Sequence, residues 1–362
     1  MSKAAELAAL IGSQSAQSNR NIIINGAMQV AQRGTSETSV TSSQYADAPD
    51  RFKVSMTTGG TWTVSQSTTS PEGFSNSYKF DCTAANGSLS SDSNIQLLQR
   101  IEGQNLQQLA KGTSGAKSVT VSFYVRTNKT GTYTLELFDR DNTRTFSKTY
   151  TVSSADTWEF KSVTFAGDTS GALDNDNAVS LDVSWFLAAG TDFTSGTFSS
   201  GWASKTDANR VSSSQVNLAD STSNEWYITG VQLEVGDVAT AFEHRSVADE
   251  LERCKRYYQR TTTGGNAYTN LSVVGCYSTG TDQRGTIPFT TEMRTGPALS
   301  TSGNLMVLGL GGGLASISAG DGISTHHAGI RVNTNSNLTA GQVAILRGNN
   351  DTTAHIQFDA EL

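Results

Sequence analysis

From Asn21 onward the chain is written in short runs in which apolar and polar residues alternate one by one, and this period of two constrains the fold more than any other feature. A strand turns successive side chains to opposite faces, so alternation over a few residues marks a strand with one face on a core. Asn21–Ile24, Arg51–Met56, Thr61–Ser67, Tyr78–Cys82, Val119–Arg126 and Thr132–Phe138 read this way, as do Phe146–Val152, Trp158–Phe165, Val179–Trp185 and Trp226–Val235. Clusters of Gly, Asn, Asp and Ser, such as NKTGT, RDNT and LDNDN, separate them and supply turns. About ten such runs over roughly 225 residues, with no long helical segment between them, predict an all-β jelly roll. Ile95–Leu109 is ambiguous, because Leu98, Ile101 and Leu106 are spaced for either strand or helix.

Two segments break the alternation. Lys3–Ile11 reads as a short helix with Ala4, Leu7, Ala8 and Ile11 on one stripe and Gly12 as its stop. So few residues do not hold a helix alone in water, so the stripe is expected to dock on a partner, with SQSAQSN as a polar linker. Val247–Gln259 is the clearer helix: Ser246 is the N-cap, Asp249 and Glu250 fill the first turn, and Lys255, Arg256 and Arg260 lie at the far end. Val247, Leu251, Cys254 and Tyr258 follow the spacing of a coiled-coil seam. Beyond it, Asn270–Tyr277, Arg284–Phe289, Ala298–Leu310, Gly329–Val332, Val343–Leu346 and His355–Asp359 predict a second, smaller β-sandwich. The expected organisation is an anchor helix and linker over 1–20, a jelly roll over 21–246, a trimerising helix over 247–260 and a distal β domain over 261–362.

Composition narrows the function. The chain has 362 residues, enough for two domains and short connectors. Only 36% is hydrophobic and 16% charged, so the polarity is uncharged, which suits the outer faces of antiparallel sheets. A net charge of -7 argues against a nucleic-acid partner, which needs clustered Lys and Arg. No apolar run approaches the roughly 20 residues of a membrane helix, and MSKAAELAALIGSQS, with Glu6 in its middle, lacks the apolar core of a signal peptide. Cys82, Cys254 and Cys276 lie far apart and are odd in number, which fits folding in a reducing cytoplasm.

Catalytic and cofactor motifs do not assemble. GTSGAKS, Gly112–Ser118, puts Ala116 where a phosphate-binding loop needs Gly before Lys, and a strand follows instead of a helix. GLGGGL, Gly309–Leu314, lacks the last Gly of a dinucleotide fingerprint and its βαβ setting. His326 and His327 are adjacent and do not converge on one metal, and His244 reads as a hydrogen-bonding residue at a domain edge. DRDNT, Asp139–Thr143, and LDNDN, Leu173–Asn177, carry oxygen ligands suited to calcium but sit where hairpin turns belong. Two carboxylates across a groove could hydrolyse glycans, but no such pair is visible in sequence. Of the five tryptophans, Trp62, Trp158, Trp185 and Trp226 lie in alternating strands and read as core. Trp202, in SSGWASKT, is flanked by small polar residues and reads as the glycan contact.

Several stretches resemble a family of phage tail-fibre and virion appendage proteins of marine and cyanobacterial phages. They are NIIINGAMQVAQRGTS (Asn21–Ser36), APDRF (Ala48–Phe52), YITGVQLEVGDVATAFEHRSVADELERCKRYYQR (Tyr227–Arg260), PFTTEMRTGPAL (Pro288–Leu299) and IQFDAEL (Ile356–Leu362). The span Thr57–Asn224 carries no such signature. The resemblance implies a carbohydrate-binding-module-like jelly roll, a homotrimer and a place on the virion, assembled in the host cytoplasm. It transfers no catalytic residue and no cofactor. Jelly rolls of this type often hold a structural calcium, whose ligands the sequence does not assign. The expected protein is therefore no enzyme but a structural appendage, a tail fibre or tail-associated protein that contributes to attachment to host surface glycans. Its expected partners are itself, other virion proteins through the N-terminal stripe, and host glycan, with no nucleic acid and no membrane insertion. The alternatives are a capsid-decorating fibre or a glycan-degrading spike enzyme, though such spikes usually show parallel β-helix repeats and this chain has none.

Overall fold

A computed structural model describes residues 19–276, 282–308, 314–334 and 339–362. The predicted anchor stripe, Ala4, Leu7, Ala8 and Ile11, and residues 309–313 of the GLGGGL run lie outside the described residues. The chain divides into two compact units, Met1–Glu250 with Leu362, and Leu251–Glu361.

Among its described residues the first unit holds twelve strands: β1 (Ser36–Val40), β2 (Phe52–Thr57), β3 (Thr61–Ser67), β4 (Ser77–Ala84), β5 (Asn94–Glu102), β6 (Val119–Thr127), β7 (Gly131–Asp139), β8 (Arg144–Val152), β9 (Glu159–Phe165), β10 (Val179–Ala189), β11 (Ala203–Ser204) and β12 (Glu225–Val235). They form two antiparallel sheets of six, in the orders β1-β3-β4-β12-β6-β9 and β11-β8-β7-β10-β5-β2. The chain passes repeatedly from one sheet to the other, as the jelly-roll reading expects. The alternation places Val54, Trp62, Val64, Phe80, Leu97, Phe123, Val125 and Trp185 in one shared core. Aromatic contacts cross between the sheets: Phe123 of β6 meets Tyr150 and Trp185 edge-on at 5.0 and 5.6 Å, and Phe146 of β8 meets Phe165 of β9 at 5.1 Å. Such pairs contribute about 0.5–1.5 kcal/mol each beyond their burial.

The motifs at the two ends of this unit are joined to each other. Asn21 Oδ1 accepts from the N–H groups of Ile23 and Leu233, and Asn21 Nδ2 donates to Val231 O. Because the Asn21 side chain takes these groups, Asn21–Ile24 forms no strand, contrary to its apolar pattern. Gly26 O accepts from Val231 N–H at 2.9 Å, and a Cβ on Gly26 would lie 2.1 Å from Val231 O, so no other residue fits there. Asn25, at φ +61, bonds Val30 and Asp50 through its amide. Gln232 and Glu234, on one face of β12 as expected, are fully buried. Glu234 accepts from Gln232 Nε2 and from Thr240, while Gln232 Oε1 accepts from Glu243 N–H, which holds residues 236–243 folded back over the sheet.

Ile95–Leu109 resolves into β5 followed by two 3-10 turns, Gly103–Asn105 and Gln107–Leu109, with Leu106 and Leu109 buried in the core. DRDNT makes the expected hairpin turn between β7 and β8, with Asn142 donating to the Asp139 carboxylate. Residues 112–118 form a loop leading into β6, with Gly112 N–H donating to Asp168 O.

The second unit holds β13 (Tyr258–Thr262), β14 (Asn270–Cys276), β15 (Asp282–Pro288), β16 (Ala298–Ser302), β17 (Leu305–Leu308), β18 (Leu314–Ile323), β19 (His327–Thr334), β20 (Val343–Gly348) and β21 (His355–Asp359). They form a three-stranded sheet, β13-β21-β16, and a six-stranded sheet, β17-β20-β14-β15-β19-β18. Val274, Ile287, Ile330, Leu346, Ile356 and Phe358 belong to its core. Ala298–Leu310, read as one strand, is broken after Ser302, where Asn304 N–H donates to Asp351, and its two parts join different sheets.

The helix predicted over Val247–Gln259 runs only from Val247 to Lys255. Its N-cap is as expected: Asp249 N–H donates to Ser246 Oγ, and Ser246 Oγ to Asp249 Oδ2. Its predicted seam is corrected. A turn closes it, with Tyr257 N–H donating to Cys254 O, and Tyr258 opens β13, opposite Asp359 and donating its hydroxyl to Gln357. Cys254 is fully buried within the chain, Leu251 is half-buried, and Val247 is 57% exposed. The four residues therefore do not form one exposed helical stripe, because strand pairing takes over before the heptad is complete.

Candidate glycan-contact surface

The two sheets of the first unit bury their inner faces on each other, so anything they offer to a ligand lies on their outer faces. On β6 the odd residues Val121, Phe123 and Val125 point inward, which turns Tyr124 and Arg126 outward. On β9 Val163 and Phe165 point inward, and Phe160, which lies opposite Tyr124 in the antiparallel register, points outward. Phe160 is 50% exposed, and its ring lies 5.2 Å from that of Tyr124. Tyr124 meets Phe74 at 5.5 Å, and Phe74 meets Phe242 at 5.0 Å and His244 at 5.2 Å. Phe74 reaches the sheet because Gly230, at φ +62 in a β-bulge of β12, has no side chain: a Cβ there would lie 2.8 Å from the Phe74 ring. His244, expected as a hydrogen-bonding edge residue, is exposed and lies against the Phe74 and Phe242 rings.

A second set of rings adjoins the first across Arg126. Trp158 meets Tyr227 edge-on at 6.2 Å, while Arg126 and Lys79 lie over the Tyr227 ring at 5.0 and 5.6 Å. Arg126 is held by Asp156, through its backbone oxygen and its carboxylate, both at 3.0 Å. Lys79 donates to Glu225 Oε1 at 2.6 Å and Tyr227 to Glu225 Oε2 at 2.7 Å. Burial works against the Glu225 anion, but the hydrogen bonds from Lys79 and Tyr227 outweigh it and hold its carboxyl below the ordinary range. Burial and that same hydrogen bond to Glu225 raise the Tyr227 phenol. The result is a ledge of partly open ring faces, with Tyr227 buried beneath Arg126 and Lys79, edged by charged groups with fixed partners. Apolar ring faces suit the C–H faces of sugars, and the charged edge suits their hydroxyls.

Trp158 corrects the sequence reading of this residue as core. Its half-buried ring stands on the outer face beside Phe160. The sequence does carry the signal: Trp158 and Phe160 share one phase of the alternation and Val163 and Phe165 the other. Trp62, Trp185 and Trp226 are fully buried, as expected. Trp202, read as the glycan contact, is half-buried against the core. Its ring meets Phe146 at 5.9 Å, its Nε1–H donates to Ala166 O, and the Lys111 ammonium lies 5.2 Å from its centre.

That ammonium bears on the calcium implied by the resemblance. Lys111 Nζ donates to Asp139 Oδ2 at 2.5 Å, Ser170 O at 3.0 Å and Gly171 O at 2.9 Å, and pairs with Asp168 Oδ2 at 3.1 Å. Asp168 also takes Arg144 in a bidentate pair. The oxygen-rich nest beside DRDNT thus has a cation of its own, and the residues there do not fit a metal ion. Among the described residues, no group of three or more His, Cys, Asp or Glu side chains is placed to hold one, and no helix is long and apolar enough to cross a membrane.

The outer face of the other sheet is closed. Glu136 of β7 and Asp182 of β10 are buried there on neighbouring strands. Arg210 holds both Glu136 oxygens, at 2.8 and 2.6 Å, and its guanidinium lies within 5.8 Å of the rings of Phe138, Phe186 and Phe193. Arg140 donates to Asp182, and Arg100 lies 3.6 Å from it.

No family model matches the chain, and no curated protein matches it. Among solved structures it is similar to one described as CBM4 structure and function, at 13% identity and a TM-score of 0.30, over 59% of this chain and 98% of that one. It is similar to TmCBM61, solved in complex with beta-1,4-galactotriose, at 11% identity and a TM-score of 0.28, over 60% of this chain and 100% of that one. It is also similar to the enzymatically active domain of tailspike protein 4 of Bacteriophage CBA120, at 13% identity and a TM-score of 0.31, over 60% of this chain. The chain spans 22% of that tailspike structure's length.

Proposed function

We propose that this chain is a structural protein of a phage virion, a tail fibre or tail-associated appendage, and that it contributes to attachment by holding host surface glycan on the ring ledge of its first unit. The observation that carries the glycan reading is the set of aromatic side chains left partly open together on one outer sheet face, Trp158, Phe160, Tyr124, Phe74 and Phe242. The virion reading is supported by the opening and closing motifs, which are joined through bonds from Asn21 and Gly26 to Val231 and Leu233 and so serve architecture. Homotrimeric assembly, and docking to other virion proteins through the N-terminal stripe, belong to the same reading. So does the absence of catalysis, supported by one buried pair on adjacent strands, Glu136 and Asp182, each of which is engaged by arginine.

Trp158→Ala with Phe160→Ala is the direct test. Binding of the purified chain to host envelope polysaccharide should weaken at least about tenfold, a change of about 1.4 kcal/mol, with the circular dichroism spectrum unchanged. Binding at native strength by that variant would remove the ledge from the proposal. The same incubation should release no reducing ends, and solution mass should correspond to three chains.

A further inference from the structure

Away from the ring ledge, the first unit encloses an ammonium group in its interior. The Lys111 side chain is 5% exposed, and those of its two carboxylate partners, Asp139 and Asp168, are 0% and 4% exposed. Leu109, Val119, Leu137, Leu173, Leu181 and Trp202 wall the nest. A charge so placed is costly unless its surroundings meet it fully. Here three N–H donors face four oxygens: Asp139 Oδ2 at 2.5 Å, Gly171 O at 2.9 Å, Ser170 O at 3.0 Å and Asp168 Oδ2 at 3.1 Å. Two carboxylate oxygens and two backbone carbonyls around one compact cation form a donor set of the kind that holds calcium.

The oxygens come from separate parts of the chain. Lys111 stands in the loop before β6, Asp139 ends β7 of the other sheet, and residues 168–171 follow β9. These parts also hold one another without the ammonium. Gly112 N–H donates to Asp168 O at 2.8 Å, Ser170 N–H to Asp168 Oδ1 at 3.0 Å, and Asn142 to both Asp139 and Ala172 O. Gly112, at φ +81, permits the close approach, since a Cβ there would lie 2.4 Å from Ala172 N. Burial works against the Asp168 anion, but hydrogen bonds from Arg144, Ser170 and Lys111 outweigh it and hold its carboxyl below the ordinary range. The bidentate pair with Arg144 does not involve position 111, so Asp168 keeps its charge when the lysine is replaced.

We propose that Lys111 is a built-in structural cation: its ammonium stands where a calcium ion would otherwise join the two sheets, and removing it uncovers a divalent-metal site. The sequence resemblance implies a structural calcium; here the oxygens suited to one are present, and a lysine has taken their centre. The ammonium contacts of 2.5–3.1 Å exceed the roughly 2.3–2.6 Å of calcium by a few tenths. The space of the lysine stem would admit the waters that complete the coordination of a calcium ion.

The test is scanning calorimetry of the full chain, native and variant, in EDTA, calcium chloride or magnesium chloride. The native transition of the first unit should be the same in all three. Lys111→Ala should lower it by roughly 10 °C in EDTA. Millimolar calcium should return at least about half of that loss, and magnesium less, because it demands shorter bonds in a near-ideal octahedron. Lys111→Met, whose stem fills the space that the metal and its waters need, should be lowered comparably and gain nothing from calcium. If Lys111→Ala does not fold in EDTA, its recovery on refolding with calcium, against none for Lys111→Met, is the same readout. Three results would overturn the proposal: a Lys111→Ala chain as stable as the native one, equal gains from calcium in the two variants, or a native chain that gains as much from calcium as Lys111→Ala does.

Discussion

The two outer faces of the first unit are built from the same alternating strands but finished in opposite ways. On the sheet centred on β7 and β10, loop residues close the surface, and Arg210 lies against three phenylalanine rings with its charge taken by Glu136. On the sheet centred on β12 and β6, residues 236–243 cover one part and leave a row of rings half-open beside it. Charge paired under a cover is architecture, whereas rings left at the surface are available to a ligand. The difference teaches that burial of polar groups, more than their identity, separates structural from contact residues in a chain this rich in uncharged polarity.

The sharpest way to break the comparison is to open the closed face. Glu136 is fully buried and Arg210 neutralises it. Arg210→Ala would leave an uncompensated charge in the interior, a loss of about 3–5 kcal/mol. Scanning calorimetry should show the first unit melting well below its native temperature. Lys79→Ala, which removes a partly exposed partner on the ledge side, should cost no more than about 1 kcal/mol. If the two losses are equal, the faces do not differ in the way proposed.

Much of the fold was legible in sequence, little of this contrast was, and the difference has physical causes. Strand positions followed from alternation because each sheet has one buried face, and three of the four tryptophans read as core are fully buried. Trp158 was misread because a strand's phase says that two sets of residues oppose each other, and only the partner strand says which set faces the core. Trp202 is more buried than its small polar neighbours suggest, because they describe only the chain around it, while Phe146, Lys111 and Ala166 reach it from elsewhere in the sequence. The helix over Val247–Lys255 kept its cap, which is local, and lost its seam, which β21 cut short by pairing with Tyr258. The sealing of Glu136 by Arg210 spans 74 residues, and nothing local announces it.

A second comparison sets one ring against another. Trp202 is mortar: it packs on Phe146, covers Lys111 and has its N–H satisfied. Trp202→Ala should destabilise the first unit by about 2–3 kcal/mol, below the range for a fully buried tryptophan. Phe160, half exposed on the ledge, should be replaceable by Ser within about 0.5 kcal/mol while glycan binding falls. Denaturant midpoints and binding isotherms for the two variants should thus move in opposite patterns. A stable Trp202→Ala that no longer binds glycan would return the contact to that residue.

The smallest expected effect is a pH dependence on the ledge side. Glu225 is held as an anion by Lys79 and Tyr227, so its carboxyl titrates below the ordinary value of 4.5. A group whose folded pKa is depressed contributes stability that is complete above its unfolded pKa and is lost as pH falls through the folded value. The contribution is therefore present at neutral pH and fades in the acid range below 4.5. With the Glu225 side chain 33% exposed, solvent screening keeps it to a fraction of about 1 kcal/mol. Glu225→Gln keeps the acceptor oxygen for one neighbour and removes the charge, so the difference in unfolding free energy between native and variant should narrow as pH falls from neutral toward about 3. Lys79, which its hydrogen bond and charge pair with Glu225 raise against the opposing effect of burial, stays protonated throughout that window and does not reverse the sign. A difference that widens in acid would mean that Glu225 gains nothing from its partners, and that the charged edge of the ledge is solvated surface with no fixed geometry to offer a sugar.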